Sequence, residues 1–369
     1  MEDKIISLIY SFQPDFQGRT SIVFLVIIYS IGLQLLIIFS LIIYIFIHRL
    51  LSSKYDKNKK LKFDEWYELI FSYLDGDSSG HEFKDKIHKR DYRIFGDFIK
   101  EFFLDIEGDD KRRLLNLLVA VDFPDYLFRL MSNRNQWERA FAIYFLGLIL
   151  YKEKIDLIRK RIFDKSETVS FMAATVLMQL KDAQSIPLII NKLTRDQTKD
   201  IRIRLTNILL QYGKDILPEI VPVFRSPDSN TQVKLVCIDI FKNYTHYEVT
   251  QDLISLYEIT DDRELKIACI STLGIFEDPT LIDFFEAQLS HGNKVVKSLA
   301  AKSLGVFGEP SSLEKLIPLL DHTDFWIIKN TTDAIFEYGP EGLEILNHKL
   351  KNPSSILLKN IIKEKLNIL

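Results

Sequence analysis

The sequence predicts an all-α protein in which an α-solenoid of helical hairpins follows one transmembrane helix. Two observations lead to this prediction. An apolar pattern returns every 30 to 32 residues along most of the chain, and residues 21–47 contain no charged side chain. A fixed period in this range is typical of solenoids, in which each unit packs only on its neighbours. A long segment without charge is typical of a helix that crosses a bilayer.

The repeat is clearest in residues 296–308, whose sequence is VKSLAAKSLGVFG. We call its first apolar position the anchor, and the corresponding residues along the chain are Trp137, Val169, Ile201, Val233, Leu265, Val296, Ile328 and Leu358. Eight positions later a second apolar column contains Phe145, Leu177, Leu209, Phe241, Leu273, Leu304, Phe336 and Leu366. Each unit therefore has a second helix with two large apolar positions on one face.

A shorter apolar segment precedes each of these second helices. Its spacing predicts first helices at residues 186–193, 217–224, 249–257, 281–289, 313–320 and 343–350. Proline lies near the start of some of these segments, as at Pro187 and Pro218, where it suits the first turn of a helix. We predict that residues 122–369 form the solenoid.

The composition is that of a folded protein and excludes one broad class of partner. Of 369 residues, 47% are hydrophobic and 27% are charged, and the formal net charge is -3. Proteins that bind nucleic acid nonspecifically carry a basic domain that neutralises phosphates. No such domain is evident, so we expect no nucleic-acid partner.

Residues 21–48 are predicted to be the transmembrane helix. The bilayer hydrocarbon core is about 30 Å thick, which about 20 helical residues cross. A helix of a soluble core would not be apolar on all sides for this length. A cleaved signal peptide would have a shorter apolar region and a small-residue cleavage site, whereas here His48 and Arg49 follow the apolar segment.

The charges that flank this helix predict its orientation. The basic residues on the N-terminal side are only Lys4 and Arg19. Those on the C-terminal side are Arg49, Lys54, Lys57, Lys59, Lys60 and Lys62. By the positive-inside rule, residues 1–20 form a short extracytoplasmic tail and the solenoid is cytoplasmic, on the inner membrane. We predict a basic juxtamembrane linker at residues 49–62 that also suits anionic lipid head groups. The bilayer is thus one expected partner.

Residues 63–121 contain helical apolar patterns without the regular period. A terminal unit of a solenoid is atypical because it closes the end of the stack, so we predict an N-terminal cap. Within it, Asp75, Asp77, Ser79 and Gly80 imitate the start of a calcium-binding EF-hand loop. Position 12 of that loop, which should be a bidentate glutamate, is Lys86. We therefore expect a plain loop and no metal.

The two cysteines, Cys237 and Cys269, occupy the same repeat position in adjacent units. Other units have Ala173, Leu205 and Ala300 there, which favours a small buried side chain. A disulfide is the alternative. Zinc would need more ligands and closer spacing.

The chain resembles the HEAT repeat family, in particular the short HEAT-like repeats also found in phycobilin lyases. Four features carry the resemblance: the period, the paired helices, the proline in the first helix and the Val-Lys-x-x-Ala-Ala-x-x-Leu-Gly pattern of the second helix. The resemblance covers about residues 123–366 and implies a right-handed solenoid. The whole layout resembles bacterial membrane-anchored HEAT proteins, some of which accompany membrane glycosyltransferases that make polysaccharide. The family's motifs are degenerate and specify fold far more than function.

The residue after the anchor, which we call the cation slot, is basic in six successive units: Arg202, Lys234, Lys266, Lys297, Lys329 and Lys359. One interpretation is a basic stripe that binds an acidic partner or anionic lipid. The other comes from the resemblance, which implies that a turn aspartate pairs with this cation and joins one unit to the next. Asp164, Asp196 and Asp228 lie six residues before the slot and suit the second interpretation.

Phe325 and Trp326 lie in a turn where the other units have polar residues. Large aromatic side chains are frequent anchors of protein interfaces, so both are candidates for partner binding. The alternative is that Trp326, near the start of a helix, packs in the core.

No catalytic, cofactor-binding or metal-binding residue is predicted. The seven histidines are scattered, and no nucleophile elbow, P-loop or dinucleotide-binding glycine motif occurs. We therefore expect a non-enzymatic scaffold whose partner is a protein, itself membrane-associated, with a membrane glycosyltransferase as the more specific hypothesis. Two alternatives are an enzyme or tetrapyrrole-handling protein of the HEAT-like lyase type and a membrane signalling component.

Overall fold

The structure, a computed structural model, describes residues 19–77, 79–194, 199–291 and 293–367. The chain divides into two compact parts, Met1–Val121 and Asp122–Leu369. We call these the N-terminal part and the solenoid. Most of the predicted extracytoplasmic tail, residues 1–18, lies outside the described residues.

One helix of 57 residues, Arg19–Asp75, dominates the N-terminal part. It contains the predicted transmembrane segment and continues through residues 49–62, so the predicted linker is helical. From Val26 onward this helix is long and apolar enough to cross a membrane, and none of its most apolar stretch is buried. The backbone between the apolar segment and the first cap residues is therefore one continuous rod.

An aromatic cluster holds the rest of the N-terminal part together. Trp66, near the end of the long helix, meets Phe95 and Phe98 edge to face, with ring centroids 5.5 and 5.6 Å apart. Lys62 pairs with the buried Asp91 at 2.8 Å. Three further helices complete this part, Gly80–Lys86, Tyr92–Asp105 and Gly108–Ala120. The long helix packs against the last of these. That this part closes the end of the solenoid stays a prediction.

The segment that imitates a calcium loop is shorter than predicted. The long helix ends at Asp75, Gly76 adopts a φ of +91°, and Gly80 already begins the next helix with Ser79 as its N-cap. Ser78 lies outside the described residues. Because Gly80 is helical, the backbone lacks the extended loop that would wrap a cation.

The predicted all-α solenoid is confirmed. Its described residues form eight hairpins, each with a first and a second helix. The first helices are Phe123–Leu130, Ile155–Lys160, Ile186–Leu193, Leu217–Arg225, Thr250–Ile259, Ile282–His291, Pro310–Leu316 and Pro340–Lys351. The second helices are Gln136–Leu148, Glu167–Gln179, Lys199–Leu210, Thr231–Tyr244, Arg263–Phe276, Lys294–Phe307, Phe325–Glu337 and Ile356–Lys365. Short 3₁₀ turns adjoin several first helices.

Each second helix packs against the second helix of the next hairpin. Small residues let these helices approach closely. A Cβ atom built on Gly305 would lie 2.4 Å from the Cα of Ala334, and one built on Gly147 would lie 2.5 Å from Val176. At Gly147 and Gly305 the glycine of the repeat motif therefore leaves room for the next second helix.

Polar N-caps fix where most second helices begin. Their side chains accept a hydrogen bond from a backbone N–H of the first turn, which supplies a partner that the helix itself cannot. Asp262, for example, accepts from the N–H groups of Glu264 and Leu265 at 2.8 and 3.1 Å. The caps of this kind are Asn135, Asn230, Asp262, Asn293, Asp324 and Ser355.

The predicted anchor column is buried except at its start. Val169, Val233, Leu265, Val296, Ile328 and Leu358 are buried and Ile201 is half-buried, but Trp137 is 61% exposed. Its assignment as an anchor was wrong by one residue. In five of the other hairpins the anchor lies three residues after the N-cap residue of the second helix, as Val233 does after Asn230. Three residues after Asn135 comes Glu138, so Trp137 faces outward.

We predict that Gly305→Ala destabilises the solenoid by about 1–3 kcal/mol, because the added methyl group would overlap the backbone of Ala334. Alanine is intrinsically the better helix former, so a loss of stability isolates the effect of packing. Thermal unfolding of the full chain in detergent, followed by circular dichroism, measures the change. Lys302→Ala, on the exposed side of the same helix, is the matched control. An unchanged or raised melting temperature for Gly305→Ala would contradict the close approach.

Candidate interaction surface

The six cations of the predicted slot have different surroundings. Two of them form ion pairs that reach carboxylates of other second helices. Arg202 contacts Asp239 at 3.3 Å and Glu264 at 2.5 Å. Lys329 lies 3.9 Å from Asp333 on its own helix and 3.7 Å from Glu364 on the next. These two cations join hairpins, although their partners are not the turn aspartates.

The other four slot residues form no ion pair with any described residue. Lys266 places its ammonium 5.6 Å from the ring centroid of Tyr257. Lys234 and Lys297 are half-buried, and Lys359 is exposed. The slot is therefore no uniform ladder, and Lys297 and Lys359 are the members with charge available at the C-terminal end of the solenoid.

One turn aspartate pairs as the resemblance implies. Asp164 pairs with Arg139 of the preceding hairpin, which occupies the cation slot once the anchor of that hairpin is moved from Trp137 to Glu138. No ion pair joins Asp228 to Lys234, and Asp196 lies outside the described residues. The structure therefore shows a turn aspartate paired with a slot cation at Asp164 and Arg139, and not at Asp228 and Lys234.

Arg139 and Asp164 form a buried bidentate pair between the first two hairpins. The guanidinium donates to the two carboxylate oxygens at 2.9 and 2.6 Å, and the side chains are only 4% and 3% exposed. Burial by itself raises the pKa of Asp164. Hydrogen bonds from Arg139 and from the backbone N–H of Ser166 outweigh it, so the pKa is lowered overall.

A second set of ion pairs, which the sequence analysis missed, joins successive first helices or the turns beside them. Arg159 contacts Asp182 at 2.8 Å, and Arg225 contacts Asp252 at 2.7 Å. Further pairs of this kind are Lys154–Asp125, Lys315–Glu286 and Lys349–Asp321. The sequence could have indicated these pairs, because opposite charges recur on or beside successive first helices at less than one repeat length. Each of these pairs joins one hairpin to the next.

Phe325 and Trp326 are exposed, so the alternative that Trp326 packs in the core was wrong. Trp326 is 62% exposed and Phe325 is 42% exposed, and their rings meet edge to face at 5.2 Å. The backbone below them is firmly held. Asp324 accepts from the N–H of Trp326 at 3.0 Å, and the Ser298 hydroxyl donates to the Trp326 carbonyl at 3.0 Å. The aromatic pair thus stands on a fixed support.

Exposed apolar and basic residues continue on the hairpins to either side of this pair. Ile356, which sequence reasoning missed, is 79% exposed and occupies the same position relative to its anchor as Trp326. Consecutive second helices lie side by side, so their first turns follow one another along one edge. We call this surface the C-terminal patch and define it as Lys294, Lys297, Phe325, Trp326, Ile356 and Lys359.

The C-terminal patch is apolar at its centre and positive around it. The carboxylate of Asp324, which precedes Phe325 in the sequence, is already used as an N-cap and lies 3.6 Å from Lys294. The first turns of the helices add partial positive charge because their N–H groups point outward. This chemistry complements a partner that presents an apolar side chain next to a carboxylate.

The buried cysteines have no thiolate character. Cys237 and Cys269 are free and buried, which confirms the predicted small buried side chain. Burial raises the pKa of Cys237 far above its usual value and that of Cys269 to about 12. A raised pKa makes a thiol a poor nucleophile at neutral pH.

Two open grooves on the solenoid are the candidates for a reaction site. The larger, about 710 Å³, lies between the helix Leu217–Arg225 and residues 245–248. The smaller, about 380 Å³, includes Thr175 and Arg204. Among the residues that the structure describes, no group of three or more His, Cys, Asp or Glu side chains is arranged to hold a metal ion. That the protein is not an enzyme stays a prediction.

A family model described as HEAT repeats matches residues 124–210 and 250–335. These two stretches, which together make up less than half of the chain, are therefore similar to HEAT repeats, and this supports that part of the resemblance. No curated protein sequence matches the chain.

Several solved helical-repeat structures are similar. The YibA protein of Escherichia coli is 17% identical with a TM-score of 0.40, over 71% of this chain and 98% of that one. The karyopherin Kap121p, bound to the extreme C-terminus of the protein phosphatase Cdc14p, is 14% identical with a TM-score of 0.48, over 77% of this chain and 38% of that one. The complex of CpcE and CpcF of phycocyanin lyase from Nostoc sp. PCC7120 is 13% identical with a TM-score of 0.29, over 67% of this chain and 94% of that one. Values this low carry no argument about function.

We predict that Asp164→Asn lowers the stability of the solenoid at pH 7 by about 3 kcal/mol, since it leaves the buried charge of Arg139 uncompensated. The pKa of Asp164 is lower in the folded chain than its value of about 4 in the unfolded chain. The ionised carboxylate therefore stabilises the fold at pH values above about 4, and this stability is lost as the pH falls through the pKa of the folded state.

Thermal unfolding of the unsubstituted chain and of the Asp164→Asn variant between pH 7 and pH 2 tests this prediction. The difference in melting temperature should be largest at neutral pH and shrink below about pH 4. Asp228→Asn, at a turn aspartate without an ion pair, is the control. A difference that stays constant with pH would contradict the assignment of this pair.

Proposed function

We propose that this chain, whose residues 124–210 and 250–335 match HEAT repeats, is a membrane-anchored scaffold that binds a protein partner on the cytoplasmic face of the inner membrane and has no catalytic activity of its own. Its N-terminus lies outside and a single helix spans the bilayer. The observation that carries the proposal is the C-terminal patch, where two exposed aromatic rings stand on a fixed backbone among lysines.

The long helix supports the anchor. Its side chains from Val26 to Ile47 are exposed, including large residues such as Phe39 and Phe46. So much exposed apolar surface on one isolated helix is unfavourable in water but favourable in the hydrocarbon core of a bilayer. Lys54, Lys57 and Lys60 follow on the same helix and are exposed, so they would meet anionic head groups of the cytoplasmic leaflet.

The C-terminal patch supports protein binding. Interface residues that contribute most to affinity are often tryptophan, next to charges that select the partner. Trp326 offers such a side chain, and its main chain is held by Asp324 and Ser298, so little conformational entropy is lost when a partner binds. The expected partner presents an apolar side chain beside Asp or Glu.

The more specific partner that we propose is a membrane glycosyltransferase that makes polysaccharide, for which this chain would be an accessory subunit. The support is the layout of one N-terminal membrane helix, an irregular helical segment and repeated hairpins. Confinement to the same membrane raises the effective concentration of such a partner, so a patch of modest area suffices.

We predict that Phe325→Ala combined with Trp326→Ala reduces recovery of the partner at least tenfold in affinity capture from detergent-solubilised membranes, since the loss of two central aromatic contacts removes binding energy. Trp137→Ala is the matched control, because Trp137 is equally exposed at the start of another second helix. Melting temperatures should stay within about 1 °C, as all three side chains lie outside the core.

Charge reversal of Lys297 and Lys359 together should weaken capture in the same assay without unfolding the chain. Lys329 is left unchanged because it pairs with Glu364. If the reversal lowers only the melting temperature, these lysines are structural.

A chain without residues 21–47 should lose a membrane partner. Turnover of a substrate by the purified chain alone would contradict the proposal.

A further inference from the structure

The transmembrane helix carries one amide at its centre. Gln34 is the sole Asn or Gln among residues 21–47 and lies thirteen residues from either end of that segment. In a bilayer this position is near the midplane. No described residue of the chain forms a hydrogen bond with the Gln34 side chain, which is exposed on the helix. The amide therefore needs a partner from outside the chain.

Gln34 belongs to a regular series along one face of this helix. The helix is continuous over Arg19–Asp75. Alternating steps of four and three residues keep one face in register, as in the contact face of a left-handed helix pair. We call this series the seam, and its members are Ser30, Gln34, Ile37, Leu41, Tyr44 and His48.

The seam differs from the opposite face of the helix. That face presents Leu36, Phe39 and Ile43, which are equally at home against lipid. The seam combines apolar side chains with the hydroxyl of Ser30 and the amide of Gln34. Hydrocarbon offers no donor or acceptor, so polar side chains at this depth turn toward another helix. The seam therefore offers a second helix hydrogen-bonding side chains as well as apolar contacts.

The chemistry of the amide selects a second copy as the occupant. An amide both donates and accepts hydrogen bonds, so two glutamine side chains are complementary to each other across a twofold axis. Copies of one chain enter the membrane in the same orientation, which places Gln34 of each at the same depth. We propose that two copies of this chain associate in the membrane along the seam, through reciprocal hydrogen bonds between their Gln34 amides.

This inference rests on the membrane anchor of the proposed function and extends it. A dimer carries two C-terminal patches on one paired anchor. A partner with two binding sites would then bind the pair more tightly than it binds one copy, without any new contact.

Cysteine cross-linking of the full chain in isolated membranes tests the proposal. Single cysteines replace Ile37 or Leu41 on the seam, and Leu36 or Ile43 on the opposite face. The native Cys237 and Cys269 are buried, and the unsubstituted chain controls for them. Oxidation should link two copies at Ile37→Cys and Leu41→Cys, several-fold more than at the opposite positions.

A second substitution then tests the amide itself. Gln34→Leu should lower the cross-linked dimer roughly tenfold. Ser40→Leu, which removes a polar side chain away from the seam, should leave it unchanged. Equal cross-linking on both faces, no dimer at the seam positions, or a dimer that is indifferent to Gln34→Leu would overturn the proposal. So would a cross-linked product of this chain with a different protein in place of the dimer.

Alkaline extraction of the membranes separates the two proposals. If the chain leaves the membrane, the proposed anchor fails. If the chain stays in the membrane and is monomeric, the anchor stands and the seam proposal alone fails.

Discussion

The structure of the solenoid depends on the side-by-side contact of successive second helices. A single hairpin cannot cover its own apolar face, and its neighbour supplies the missing half of the core. The contact requires close backbones, which Gly147 and Gly305 permit because a side chain there would overlap Val176 or Ala334. Everything that the protein displays at the starts of these helices, including Trp326, takes its position from this packing.

The same packing divides the charges into two classes. Arg139 and Asp164 lie within the stack, and Arg159, Arg225 and the acids they meet join first helices or adjoining turns along one side. These ions are used in holding hairpins together. Lys297 and Lys359 have no such partner among the described residues, and the aromatic pair lies between them along the edge. A surface that combines exposed aromatic rings with lysines free of ion pairs is a good candidate for an external contact.

Much of the fold could be predicted from the sequence because it repeats. The apolar column through Val233, Leu265 and Val296 is visible in the letters and buried in the structure. The error at Trp137 arose because the first hairpin is shifted by one residue, which only its N-cap reveals. The partners of Arg202 were beyond prediction, since Glu264 lies two hairpins away and depends on how the helices stack.

The candidate site was partly visible as well. The aromatic pair drew attention because other turns are polar, but its exposure could not be told from its spacing, since the first turn of a helix can face either way. Ile356 was overlooked because an isoleucine near a helix start looks like ordinary core. Only the shared position of Trp326 and Ile356 relative to their anchors, seen on adjacent helices, shows one continuous surface.

The most direct test of adhesion by the C-terminal patch is photo-cross-linking in living cells. A benzophenone amino acid replaces Trp326 in the full chain, and Leu188, exposed on a first helix, serves as the reference position. The account predicts one discrete adduct with a membrane protein from position 326 and none from position 188. Equal labelling from both positions, or no protein adduct from position 326, would contradict it.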